Sequence, residues 1–234
     1  MKLLIHLDEP DRVRDVVAPR HPDIALAECR DYAAMGDVIA KERPDIVYTV
    51  RFAGPTDYPR AALMSALSLK WMAVGGSGID HLVPWDTAKL TVTNSAGVAA
   101  EAMAQYIIGG ILHFTLDLPG FAKLQRRHAW DIGGKVETVT GRTLAILGLG
   151  HTGQAVARMA QGLGMQVVGI RARPAPTAHV DRVEPMERLH AVLGTADFLA
   201  VCLPKTPATL GLLDAAAFQA LKPGAVLVDV SRGG

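Results

Sequence analysis

Short continuous apolar runs alternate along this chain with stretches in which apolar residues recur every three or four positions. Residues 2–7 (KLLIHL) are the first run, and Asp8, Glu9 and Pro10 after it have the acids and proline of a helix's first turn. Further strands are expected at 24–27, 46–50, 69–74 and 90–93. A helix is expected at 37–42, ended by Pro44, and a loop leading into a helix at 55–67. Strands alternating with helices imply a parallel sheet covered on both faces.

From 98 to 118 the pattern changes. Ala99, Ala100, Ala102, Met103, Ala104, Tyr106, Ile107 and Ile108 predict one long, alanine-rich helix bridging two domains. Gly109 and Gly110 lower its propensity, so a bend or a close contact with another backbone is expected there. Residues 119–140, with Arg126, Arg127, His128 and Trp130, read as an extended surface segment. Strands then follow at 143–147, 165–170, 197–203 and 225–230, with helices after 150, at 186–193 and at 210–221. The expected class is α/β, with two doubly wound parallel-sheet domains. Residues 1–97 are expected to form the first. Residues 98–234 hold the bridging helix and a Rossmann dinucleotide-binding domain, starting near Arg142.

The most specific local signal is 143–173. An apolar strand is followed by Gly148, Gly150 and Gly153 in the spacing G-x-G-x-x-G, then by a helical pattern and a second strand. That is the context a dinucleotide fingerprint requires. Gly148 permits the tight turn, Gly150 lets a pyrophosphate approach the backbone, and Gly153 lets the helix pack close to the sheet. The helix N-terminus offers N–H groups and a partial positive charge to phosphates. NAD sites place Asp or Glu at the end of the second strand to bond the ribose 2′-hydroxyl. Here Arg171 stands there, with Arg173 two residues on. A guanidinium binds a 2′-phosphate that a carboxylate would repel, so the expected cofactor is NADP rather than NAD.

Composition narrows the classes. Half of the 234 residues are apolar and only 5% are aromatic, so the core is aliphatic. A net charge of +1 gives no broad attraction to nucleic acid or membrane. Cys29 and Cys202 are far apart in apolar segments and are expected as buried free thiols. The N-terminus is charged too early for a signal peptide, and no uncharged apolar run reaches the roughly 18 residues of a membrane span. A cytoplasmic protein without metal is expected.

Four segments together resemble the D-isomer-specific 2-hydroxyacid dehydrogenase family: GGSGIDHL (75–82), NSAGVAAEAMAQY (94–106), LGLGHTG (147–153) and LPKTPATLGLLDAAAFQALKPGAVLVDVSRGG (203–234). The arginines after the second strand make the chain most similar to NADPH-dependent glyoxylate/hydroxypyruvate reductases. The resemblance implies that 1–97 is a flavodoxin-like substrate domain, and that hydride passes between nicotinamide and a small 2-keto or 2-hydroxy acid. It implies a substrate carboxylate site at Gly76, Ser77 and Gly78, where backbone N–H groups can bind an anion, and a catalytic role for Arg232, which would bind the carboxylate and polarise the carbonyl. It also implies a cofactor lined by Gly148, Gly150, His151, Thr152, Gly153, Arg171 and Arg173, and by Cys202, Leu203, Pro204, Thr209, Val230 and Ser231. A homodimer through the nucleotide domain, with Trp130 near the partner's substrate cleft, follows from the same likeness.

The family pattern breaks after Arg232. Its members continue with a glutamate and a histidine that complete the catalytic site, so the C-terminal part of the Rossmann domain is expected to be missing here. His81 and His151 lie in or beside glycine loops without matching the family's acid, and His6 and His113 read as packed or capping residues. Two alternatives stay open: a nucleotide-binding, corepressor-like protein on the same fold, and a formate- or phosphite-type dehydrogenase.

Overall fold

The computed structural model describes residues 1–50, 57–131 and 136–232. The chain divides into two compact units, Met1–Ala96 and Gly97–Gly234.

The first unit runs β1 (Lys2–His6), α1 (Asp11–Val17), β2 (Ala25–Cys29), α2 (Met35–Glu42), β3 (Ile46–Thr49), α3 (Arg60–Ser65), β4 (Trp71–Val74) and β5 (Thr91–Asn94). Its sheet has the order β2-β1-β3-β4-β5, with every pair parallel. Side chains alternate across it as strand geometry requires. Leu4 packs with Val47, Met72 and the buried faces of α2 and α3. Leu3 and Ile5 pack with Ile46 and the α1 residues Val13 and Val17 on the opposite face. Both faces are thus covered, which is why the strands read as continuous apolar runs. Helix α2 stops one residue before Pro44, at a left-handed Arg43. Residues 55 and 56 of the expected 55–67 element lie outside the described residues.

The second unit runs α4 (Ala100–Thr115), α5 (Leu118–Arg126), β6 (Thr143–Leu147), α6 (His151–Gly162), β7 (Gln166–Ile170), β8 (Arg182–Glu184), a 3-10 turn (Met186–Arg188) leading into α7 (Leu189–Leu193), β9 (Phe198–Val201), α8 (Ala215–Ala220) and β10 (Val226–Asp229). Its sheet order is β10-β9-β6-β7-β8, again all parallel. Leu144 and Ile146 of β6 face α4 and α6, whereas Ala145 and Leu147 face α7 and α8.

Several sequence expectations are corrected here. The segment after 118 is not extended: α5 occupies its first eight residues, started by Asp117, whose carboxylate accepts from the Gly120 amide, and by a proline in the first turn. Helix α4 passes unbroken through Gly109 and Gly110. The break falls instead at 116–117, where α4 and α5 meet at 63°. Gly110 is a contact point, since a Cβ there would stand 3.2 Å from the Val228 side chain of β10. The helix expected at 210–221 shrinks to α8, capped by Asp214 through the Ala217 amide. The short edge strand β8 was not anticipated. His113, expected as packed or capping, is exposed in the last turn of α4, edge-on to Phe114. Both cysteines are free, but only Cys29 is fully buried.

In doubly wound sheets ligands bind beyond the carboxyl ends of the strands, where the strand order reverses. That point lies between β1 and β3 in the first unit, and between β6 and β9 in the second.

Candidate functional site

The turn after β6 occupies the second unit's reversal point. Gly148 has φ +97 and donates its amide to the Ile170 carbonyl at 2.9 Å. A Cβ on it would stand 3.0 Å from the Cys202 carbonyl oxygen, so glycine alone fits both the backbone angle and the space. A Cβ on Gly153 would collide with the Gly148 carbonyl oxygen, whereas one on Gly150 meets nothing within 4 Å. Helix α6 begins at His151 without a side-chain cap, and its first internal bond runs from the Gln154 amide to the Gly150 carbonyl. The N–H groups of its first turn therefore remain for an anion. Thr152 is half-buried and His151 exposed. The His151 ring lies against Gly97, where a Cβ would come within 2.9 Å.

At the end of β7, Arg171 is half-buried and donates its amide to the Glu184 carbonyl at 3.1 Å; Arg173 is exposed. The register brings Glu184 beside Ile170. Its carboxylate is already held by Arg182 at 2.9 Å and Arg188 at 4.0 Å. Arg171 and Arg173 thus stand beside an acid, Glu184, that is already paired with other arginines.

Beyond β9, the Thr209 hydroxyl donates to the Pro204 carbonyl at 2.7 Å and accepts from the Thr206 amide at 2.9 Å, which closes the 204–209 turn. The Cys202 amide donates to the Leu147 carbonyl, and the Val230 amide to the Val201 carbonyl. Burial pushes the Cys202 thiol up to about 12, with the Asp229 charge adding to the effect. It stays protonated at neutral pH and can serve as a lining group but not as a nucleophile. Ser231 donates its amide to Asp229, and Arg232 is exposed. A cavity of about 230 Å³ is lined by Leu203, Pro204, Thr209, Ser231 and Arg232 among others.

In the first unit the loop at 75–78 follows β4. The Gly75 amide donates to the Thr49 carbonyl at 2.9 Å, the Gly76 carbonyl accepts from the Ser95 amide, and the Ser77 carbonyl accepts from Asn94 Nδ2 at 2.7 Å. Among the described residues nothing accepts from the amides of Gly76, Ser77 or Gly78. Asn94 and Ser95 tie the loop's carbonyls back and leave its N–H groups available to an anion. Sequence reasoning named neither as a site residue, although both begin the NSAG segment. Among the described residues no cluster of His, Cys, Asp or Glu could hold a metal ion, and no single helix is long and apolar enough to cross a membrane.

Comparison with known proteins gives a consistent picture. Residues 108–234, more than half of the chain, match the NAD binding domain of D-isomer specific 2-hydroxyacid dehydrogenase. The D-3-phosphoglycerate dehydrogenase of Mycobacterium bovis is 32% identical over 175 residues, which is 74% of this chain and 33% of that protein. The erythronate-4-phosphate dehydrogenase of Acinetobacter baumannii is 31% identical over 178 residues, 74% of this chain and 44% of that one. The chain thus matches less than half the length of either relative. A solved structure, a D-isomer specific 2-hydroxyacid dehydrogenase family protein from Aeromonas salmonicida, has a TM-score of 0.87 at 26% identity, covering 99% of this chain and 73% of that one. The order of both sheets, the glycine turn after β6 and these matches agree, and the chain belongs to the D-isomer specific 2-hydroxyacid dehydrogenase family.

Proposed function

We propose that the chain carries the substrate and dinucleotide sites of an NADPH-dependent reductase of small 2-keto acids, of the glyoxylate or hydroxypyruvate type. The observation that carries the cofactor choice is the arginine pair at the end of β7, beside an acid already paired with two other arginines. When bound, NADPH supplies the hydride. The turn at Gly148, Gly150 and Gly153, with the uncapped start of α6, would hold its pyrophosphate. Arg171 and Arg173 would hold the 2′-phosphate, while Cys202, Leu203, Pro204, Thr209, Val230 and Ser231 would line the rest. The amides of Gly76, Ser77 and Gly78 would bind the substrate carboxylate. Arg232 would also bind it and stabilise the charge that develops on the carbonyl oxygen.

The named relatives favour a second substrate class, phosphorylated hydroxy acids such as 3-phosphoglycerate. Titration of the protein with both cofactors tests the first point: NADPH should bind at least about tenfold tighter than NADH, a difference of about 1.4 kcal/mol, and Arg171→Asp should narrow or invert the ratio. Equal affinities in the wild type would refute the NADP reading. NADPH oxidation with glyoxylate, hydroxypyruvate and the phosphorylated keto acid, measured on a protein that includes the family's glutamate and histidine, ranks the substrates. Arg232→Ala should lose most of that turnover.

A homodimer belongs to the same proposal. Tyr106 and Phe114 on α4, Phe121 on α5, and Trp130, which is 92% exposed, leave apolar surface that a monomer rarely keeps in water. Light scattering at micromolar concentration should return twice the chain mass.

A further inference from the structure

Several side chains that the proposed chemistry leaves unused meet where the first unit's strand order reverses. His6 ends β1 and Thr49 ends β3; the register pairs them, and both are fully buried. His6 Nδ1 lies 2.9 Å from Thr49 Oγ1, and Thr49 Oγ1 lies 3.0 Å from the Tyr58 hydroxyl. Thr49 has one proton for two neighbours, so at least one of them donates to its hydroxyl oxygen. Burial holds His6 down to about 4 and pushes the Tyr58 phenol up to about 12, which leaves this chain of groups neutral at physiological pH. The Tyr58 ring then stands edge-on to His81, 4.6 Å between centroids at 85°, and edge-on to Tyr32 at 5.6 Å. His81 lies three positions after Gly78. Just past it, Arg60 Nε donates to the Leu82 carbonyl at 3.0 Å.

Thr49 is the node. Its backbone carbonyl receives the Gly75 amide at the start of the loop, and its side chain anchors Tyr58, which braces His81 at the far end. We propose that Tyr58 is a positioning residue for the loop at 75–78, holding the amides of Gly76, Ser77 and Gly78 in place for an anionic substrate group. The hydroxyl anchors the ring through Thr49 and His6, and the ring sets the end of the loop through His81. This rests on the reading of that loop as the carboxylate site.

Oxalate, which carries a carboxylate beside a planar carbon as a 2-keto acid does, is the probe. Its binding is followed through the backbone amide signals of Gly76, Ser77 and Gly78. Tyr58→Leu, which removes ring and hydroxyl, should weaken oxalate at least about tenfold, and Tyr58→Phe, which keeps the ring, only about threefold. Thr49→Val should match Tyr58→Phe. The double variant should be no weaker than either single one, because both substitutions cut the same chain. NADPH affinity should stay at the wild-type value throughout. The proposal is overturned if Tyr58→Leu binds oxalate like the wild type, if the Phe and Val effects multiply, or if NADPH affinity falls in parallel. Should the Leu variant fail to fold, the Phe and Val variants decide. Oxalate that leaves the three amide signals unmoved sinks the loop assignment and this proposal together. If the predicted ratios hold but a protein that includes the family's glutamate and histidine reduces no 2-keto acid, the positioning role stands and the reductase reading falls.

Discussion

The two glycine loops, at 75–78 and at 148–153, both follow a parallel strand, yet their glycines answer to different neighbours. In the second unit the obstacles are backbone: the Gly148 carbonyl faces Gly153, and the Cys202 carbonyl faces Gly148. In the first unit they are side chains. A Cβ on Gly75 would meet Val50 Cγ2 at 2.5 Å and the Tyr48 hydroxyl at 2.6 Å, while Gly76 meets nothing. The second loop runs straight into a helix that supplies uncapped N–H groups. The first has no helix of its own and is held by Asn94, Ser95, Thr49 and the aromatic brace. A turn built from backbone tolerates no change in composition, whereas one held by side chains can be retuned residue by residue.

The largest expected effect follows from the backbone obstacle. Gly153→Ala should destabilise the second unit by about 3 kcal/mol or more, since neither the helix start nor the Gly148 peptide can give way without moving the turn. Urea unfolding followed by far-ultraviolet circular dichroism measures it, and a cost below 1 kcal/mol would erase the distinction between the loops.

Acid should separate the units next. His6 is buried and neutral, with its folded value near 4 against an ordinary 6.5. Between those values the unfolded chain binds the extra proton, so the stability of the first unit is complete above about pH 6.5 and falls as the pH drops, with a slope of up to about 1.4 kcal/mol per pH unit. Unfolding of a Trp130→Phe protein, which reports through Trp71 and Trp85 of the first unit, should show this slope, and His6→Gln should flatten it.

Gly150→Ala should leave stability within about 0.5 kcal/mol, because nothing lies near its Cβ and its φ of −75 suits alanine. NADPH affinity should nevertheless fall about tenfold, since the methyl group occupies the pyrophosphate's approach. Smaller still, Gly75→Ala should cost about 1 kcal/mol, as Val50 and Tyr48 can turn aside. Gly76→Ala should cost under about 0.5 kcal/mol. Calorimetric unfolding of the pair, measured side by side, would contradict this ranking if Gly76→Ala proved the worse.

The chain's own pattern was enough for most of the fold. The buried strands β1, β3, β6, β7 and β9 leave continuous apolar runs and were legible, as were the edge strands β2, β5 and β10 from their apolar or β-branched residues; β8 is three residues long with Arg182 and Glu184 at its ends, so it left no run. Helix α5 carried its start signals at Asp117 and Pro119, but Arg126, Arg127 and His128 made the segment look like surface coil. The doubled glycine of α4 left a bend or a close contact open because propensity is local; packing against Val228 and α6 keeps the helix continuous.

The sequence alone determined the glycine turn after β6 and the arginines after β7, because each depends on spacing within a single strand–turn–helix–strand unit. Only the tertiary structure decided that His6, Thr49, Tyr58 and His81 form one chain, that Glu184 is paired beside Arg171, and that His151 rests on Gly97. Those contacts join positions far apart in the chain through strand order and register, and a one-residue slip in register would turn every strand side chain to the other face of its sheet.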